Sequence, residues 1–190
     1  MEAQQCVNDE VVVIGGGNSA GQAAVFLAQT AKRVYLLVRS AGLAQTMSRY
    51  LIRRIEEHPA IVLCTHSEIA ALEGEAHLER VRWRHTSTGE VESRDIRHVF
   101  VMAGAKPATG WLGGRLALDD KGFIKTGAEL SKEELIDAGW PLSRAPFLLE
   151  TSLPGVFAAG DVRAGNLKRV AAAVGEGSIA VSFIHRVLAD

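Results

Sequence analysis

The sequence predicts an α/β fold, and three observations carry that prediction. An apolar run leads into a glycine turn and then a helical pattern in "EVVVIGGGNSAGQAAVFLAQ". A second apolar run, "RVYLLV" at 33–38, follows at the spacing of a βαβ unit. A two-residue alternation then runs through "HLERVRWRH", the mark of antiparallel strands.

The first ten residues, "MEAQQCVNDE", are polar and acidic and do not form a signal peptide. Val11 to Ile14 read as a buried strand. Gly15-x-Gly17-x-x-Ala20 then matches the alanine variant of the dinucleotide fingerprint, in its required place between strand and helix. Gly15 permits the tight turn, Gly17 lets the backbone approach a pyrophosphate, and Ala20 lets helix and strand pack closely. Asn18, Ser19 and Ala20 open the helix, whose N–H groups and partial positive charge suit an anion. The alternative is a glycine turn in an ordinary βαβ unit.

The end of the second strand selects the cofactor. Val38-Arg39-Ser40 offers no carboxylate for a ribose 2′-hydroxyl. Arg39 instead can grip a 2′-phosphate through two parallel hydrogen bonds, which predicts NADPH rather than NADH. Arg49 and Arg53 follow on the helix "MSRYLIRRIEE", where they either add to that field or form a solvated face.

From residue 61 the texture changes. "IVLCTH" is a short strand; Leu78, Val81 and Trp83 then alternate with charged residues, and Thr88-Gly89 turns the chain. This predicts an antiparallel meander beside the parallel sheet, returning through Val99 to Ala103. Gly104 and Pro107 break that strand. "GFIKTG", 122–127, reads as a short strand or hairpin arm, and "SKEELIDAG" as a short helix with a Ser131/Glu134 capping box. Val156 to Ala159 read as a buried strand, followed by Gly160-Asp161 and a long small-residue helix from about Lys168 to Leu188.

Bulk properties limit the function classes. The 190 residues are 47% hydrophobic and 23% charged, with net charge −1, enough for one large domain or two small ones. Near-neutral charge gives no reason to expect nucleic acid or an anionic membrane surface. No apolar run approaches the ~20 residues of a membrane helix. Cys6 and Cys64 form no Cys-x-x-Cys, which suits a reducing cytoplasm. The histidines lack metal-ligand spacing, so no metal is expected. No serine, histidine and acid set lies in a nucleophile context, so no catalytic residue is assigned.

Taken together, "GGGNSAGQAAVFLAQ" with Arg39, the "MAGAKPAT" turn and "TSLPGVFAAGD" resemble the thioredoxin-reductase-like branch of the pyridine-nucleotide-disulfide oxidoreductases, in the right order along the whole chain. The resemblance implies an NAD(P)H-binding domain over 1–102 and the C-terminal part of a FAD-binding domain over 103–190. It implies NADPH and FAD as cofactors, with hydride transfer from nicotinamide C4 to flavin N5 and then to an unknown acceptor. Carried over by position, the cofactor-binding residues are Gly15, Gly17, Asn18, Ser19, Ala20, Arg39, Gly104, Gly160, Asp161, Arg169 and Val170. Asp161 would bond the ribityl chain, and the Arg169-Val170 segment would aim N–H groups at the pyrimidine edge. The alternatives are a helix cap for Asp161 and a solvated charge for Arg169. A homodimer is compatible with the resemblance.

The sequence departs from that pattern in several places. Ser40 and Ala44 stand where further arginines are common, and Ala108 where an asparagine often follows the proline. The redox Cys-x-x-Cys, counted back from Gly15, would fall at or before Met1, and only Cys6 stands nearby. A subgroup similar to thioredoxin reductase lacks the pair and sometimes follows a cyclic-nucleotide-binding domain. The glycine fingerprint that opens a FAD domain is also missing. The expectation is therefore the C-terminal portion of a longer flavoenzyme, or a truncated product, that binds NADPH without retaining FAD. A ferredoxin–NADP reductase-like enzyme and a non-catalytic NADP-binding module are the alternatives.

Overall fold

The computed structural model describes residues 2–189. Met1 and Asp190, the outer limits of the two expected domains, lie outside the described residues, as does the place counted back for the cysteine pair. The chain divides into two compact units, Met1–Gly104 and Ala105–Asp190.

The first unit opens with a short helix, α1 (Glu2–Gln5), that the polar sequence did not announce. The strands β1 (Glu10–Ile14), β2 (Arg33–Leu37) and β3 (Ile61–Cys64) alternate with the helices α2 (Asn18–Leu27) and α3 (Arg49–Glu56). Next come β4 (Ser67–Glu73), β5 (Arg80–His85) and β6 (Val91–Arg94), and finally β7 (His98–Val101). β1 is central in a parallel sheet ordered β3-β2-β1-β7. β4, β5 and β6 form a separate antiparallel sheet.

Period-2 geometry sorts the parallel strands' side chains onto two faces. Val11, Val13, Val34 and Leu36 pack with the buried faces of α2 and α3, including Ala20, Ala24, Leu51 and Ile55. Val12, Tyr35 and Leu37 face the other way, onto Val81, Trp83 and Ile96. Tyr35 and Trp83 meet with ring centroids 5.3 Å apart. Strands buried on both faces are why this sheet reads as continuous apolar runs. Fully burying one such valine or leucine is worth about 1.5–3 kcal/mol, so the two faces hold the first unit together.

The strand β4 has no clear signature in the sequence. Its "SEIAALE" lacks clean alternation because a bulge between Ile69 and Ala71 shifts the register against β5.

The second unit has a different character. It contains the helices α4 (Lys132–Asp137) and α5 (Val170–Ala189) and three 3₁₀ turns. The predicted strand at Val156–Ala159 is not formed: only Phe157 bridges, antiparallel to Glu150. The predicted arm at 122–127 is likewise reduced to bridges of Ile124 with Leu118 and Arg163. Neither segment has a strand neighbour along its length among the described residues, so the ladder cannot extend.

Side-chain hydrogen bonds do the work instead. The Ser131/Glu134 capping box starts α4, and Lys125 reaches Glu134 at 2.6 Å. Glu150 is fully buried and accepts from Arg144 at 2.6 and 3.0 Å and from the N–H groups of Phe147 and Gly155, both at 2.8 Å. Burial alone would raise its pKa; the guanidinium and the two N–H donors outweigh that and hold it below the usual value.

α5 overturns one sequence expectation. By length and composition alone its 20 residues would suffice to cross a membrane. Ala180 is its one buried residue, while Val170, Val174 and Leu188 are exposed.

Candidate functional site

The glycine turn between β1 and α2 is held from both sides. Gly15 donates its N–H to Leu37 O at 3.0 Å, and Met102 donates to Ile14 O at 2.7 Å. Gly15 has φ +139°, and a Cβ there would stand 2.5 Å from the Met102 carbonyl oxygen. Only glycine satisfies both the dihedral and the contact. Gly17 is a different case. Its backbone is extended, φ −92° and ψ 176°, and a Cβ would meet nothing within 4 Å. The protein itself does not need glycine at 17; the open space above it suits a ligand that must approach the backbone.

Gly17 is the N-cap of α2, and it supplies no side-chain cap. The bond from Gly21 N–H to Gly17 O, at 3.1 Å, closes the first helical turn. The N–H groups of Asn18, Ser19 and Ala20 therefore precede any intrahelical partner. The first turn of α2 has no acidic residue to offset its partial positive charge. Open space, free donors and uncompensated charge coincide, so the turn fits the pyrophosphate of a dinucleotide.

Arg39 stands two residues beyond the end of β2, exposed. It makes no hydrogen bond or ion pair among the described residues, so a 2′-phosphate would find its guanidinium unengaged. Arg53, by contrast, is tied to Glu57 at 2.7 Å on the solvent side of α3, which is the surface-charge alternative. Arg49 is exposed on the same helix.

Two ties to the glycine turn were not read from the sequence. Thr46 donates its hydroxyl to Gly16 O at 2.7 Å. Ser48 donates its N–H to Asn18 Oδ1 at 2.8 Å. Both span thirty residues, and no local pattern announces them. The side chain of Met47, between them, lies where a Cβ on Gly21 would be, 2.7 Å from Sδ.

Gly104, with φ +85°, closes the first unit in an exposed turn. In the second unit, Gly160 has φ +74°, and its N–H donates to Glu176 at 2.7 Å. Arg163 grips the same carboxylate at 2.6 Å. These bonds, Arg163 foremost, pull the Glu176 pKa down to about 2 despite its burial. Asp161 is exposed, caps no helix, and uses only its carbonyl, which accepts from Lys168 at 3.0 Å. Arg169 is exposed; its carbonyl accepts from Ala173 N–H at 3.0 Å, and Val170 begins α5. Asn166 Oδ1 nearby in sequence is buried without a hydrogen-bond partner. The unengaged Asp161 carboxylate fits a flavin's ribityl hydroxyls, and the leading N–H groups of α5 fit its ring edge. Among the described residues a strand, glycine turn and helix occur together only at Gly15–Ala20, which leaves no second seat of that kind for an ADP half.

Neither thiol is prepared for chemistry. Cys6 is fully buried, which raises its pKa, and Asp9 adds to the rise. Cys64 is pushed up to about 11 by burial, with a further rise from Glu92 partly offset by Arg94. A thiol with such a pKa is not a thiolate at neutral pH. No group of three His, Cys, Asp or Glu side chains able to hold a metal occurs among the described residues.

Comparison with known proteins gives consistent relatives. The family described as pyridine nucleotide-disulphide oxidoreductase matches residues 2–177. A thioredoxin reductase of Chlamydia pneumoniae is 33% identical over 181 residues, 95% of this chain and 52% of its own. One from Mycolicibacterium smegmatis is 32% identical over 183 residues, covering 96% and 52%. The crystal structure of T. acidophilum thioredoxin reductase superimposes with TM-score 0.71 at 25% identity, covering 100% of this chain and 56% of that one. That of Lactococcus lactis thioredoxin reductase (FR conformation), at 23% identity and TM-score 0.72, shares the fold over 99% of this chain and 55% of its own. The chain spans about half the length of the curated relatives it matches.

Proposed function

The chain belongs to the pyridine nucleotide-disulphide oxidoreductase family, in its thioredoxin-reductase-like branch, and from that premise we propose that it serves an NADPH- and FAD-dependent oxidoreductase. Its first unit binds NADPH, and its second contributes residues to the FAD site. When bound, NADPH supplies a hydride and FAD accepts it. The chain's own part is binding and electrostatics. The N–H groups of Asn18, Ser19 and Ala20 receive the pyrophosphate, Gly15 and Gly17 allow its approach, and Arg39 holds the 2′-phosphate. Gly104 lets the chain leave the first unit. Asp161 bonds the flavin's ribityl hydroxyls, Arg169 and Val170 direct N–H groups at its ring edge, and Gly160 sets the turn that brings Asp161 forward.

The observation that carries this reading is the uncapped start of α2 above an open Gly17, with Arg39 unengaged at the end of β2. Titrating the purified chain with NADPH and with NADH tests it. The reading expects saturable binding of both, tighter for NADPH. No binding of either, or a preference for NADH, would refute it.

The relatives' names supply thioredoxin as one electron acceptor. A second reading, a ferredoxin–NADP reductase-like enzyme, needs no thiols. The state of Cys6 and Cys64, both with raised pKa, favours an acceptor that is not reduced through this chain's cysteines.

A further inference from the structure

We propose that Thr46 is a positioning residue for the dinucleotide's pyrophosphate, acting through the orientation of the Gly16–Gly17 peptide. The inference rests on the reading of the glycine turn as an NADPH site, and it assigns a role to a residue outside the fingerprint.

A glycine turn lacks side chains that would fix its peptide planes. Gly16 and Gly17 carry no Cβ, so the peptide between them can rotate at little steric cost. A rotated peptide would exchange its N–H for its carbonyl and present negative charge where the anion belongs. Something must therefore fix the plane. The peptide unit is planar and trans, so its C=O and N–H point in opposite directions. The Gly16 carbonyl accepts from Thr46 Oγ1 at 2.7 Å. With that oxygen bound on the Thr46 side, the Gly17 N–H is turned the opposite way, and a Cβ on Gly17 would meet nothing within 4 Å. A second tie, Ser48 N–H to Asn18 Oδ1 at 2.8 Å, fixes the next residue to the same segment.

Thr46 lies on the connection from β2 to α3, the stretch that begins with Arg39 just beyond β2. One continuous segment thus carries the group for the 2′-phosphate and the group that sets the pyrophosphate cradle. Their energetic signatures nevertheless differ. Arg39 acts on a phosphate that only NADPH has, whereas Thr46 acts on a pyrophosphate common to NADPH and NADH.

The test uses the full chain and titrates NADPH and NADH against wild type, Thr46→Val, Thr46→Ser and Arg39→Ala, following bound cofactor by calorimetry and thermal midpoint without ligand. Thr46 is exposed, so Thr46→Val should keep its thermal midpoint; Thr46→Ala repeats the test without a methyl in the hydroxyl's place. One neutral hydrogen bond predicts about three- to tenfold weaker binding. In Thr46→Val that loss should be the same for NADPH and NADH. Thr46→Ser, which retains the hydroxyl, should restore both, while Arg39→Ala should affect NADPH alone. Unchanged binding in Thr46→Val and Thr46→Ala, a loss confined to NADPH, or failure of Thr46→Ser to restore binding would each overturn the assignment. If wild type binds neither dinucleotide, the underlying reading of the site fails instead.

Discussion

Replacing Arg39 by alanine should cost NADPH binding and spare NADH. The side chain is exposed at the end of β2 and makes no internal hydrogen bond or ion pair among the described residues. Its removal leaves no buried group stranded, so the fold should keep its stability, as exposed substitutions usually do within ~0.5 kcal/mol. In the proposed role, what is lost is a charge-assisted contact with the 2′-phosphate. Hydrogen bonds to charged groups are worth about 1.5–3 kcal/mol, and exposure to solvent and salt favours the lower end of that range. With Ser40 and Ala44 beside it rather than further arginines, no neighbour in that stretch takes over the charge. The expected effect is therefore a loss of about tenfold to a hundredfold for NADPH, shrinking as salt is raised. Parallel calorimetric titrations with NADPH and NADH at two ionic strengths measure it. Equal weakening for both cofactors, or no weakening of NADPH, would refute the assignment of Arg39.

Two other predictions follow from the second unit. Glu176 is held at a pKa of about 2 against 4.5 for the free group, a depressed value. Its stabilisation is therefore complete above about pH 4.5 and lost as pH falls towards 2. The shift corresponds to roughly 3 kcal/mol, and acid unfolding followed by circular dichroism should lose that pH-dependent part in Glu176→Gln; an unaltered acid profile would contradict it. The chain purified without added flavin should also be colourless, because in the proposed role Asp161 and the start of α5 would meet only the ribityl and ring side, while the described residues hold one strand–glycine–helix unit. A stoichiometric yellow protein with flavin bands in its visible spectrum would refute that.

The first unit was the legible part. β1, the glycine turn, α2 and β2 announce themselves because each apolar side chain is dictated by local periodicity and burial on both faces. The turn needs Gly15 for a dihedral and a contact that no other residue tolerates, so its sequence and its shape are tightly coupled. β4 was lost to a bulge, which breaks the very alternation by which a strand is recognised. In the second unit, apolar runs such as Val156–Ala159 look like strands, but a strand also needs a neighbour, and its pairing is a non-local fact. There the order comes from carboxylates, Glu150 and Glu176, gathering N–H groups and arginines that sequence alone does not bring together. For the candidate site, Gly15, Gly17, Ala20 and Arg39 stand out in the sequence as residue types at fixed spacing. Thr46 and Ser48 were not, because their contacts with Gly16 and Asn18 cross thirty residues.

If the glycine turn is a cofactor seat, Gly17→Val should close it. The backbone at 17 is extended, as a β-branched residue prefers, and a Cβ there meets no protein atom within 4 Å. The variant should therefore fold, losing no more than about 1 kcal/mol from a poorer N-cap, while its side chain fills the space the pyrophosphate needs. Titration with NADPH, alongside the thermal midpoint, is the measurement. Wild type should bind saturably, and a folded Gly17→Val should not. A folded variant that binds NADPH as well as wild type would show that the turn does not seat the cofactor.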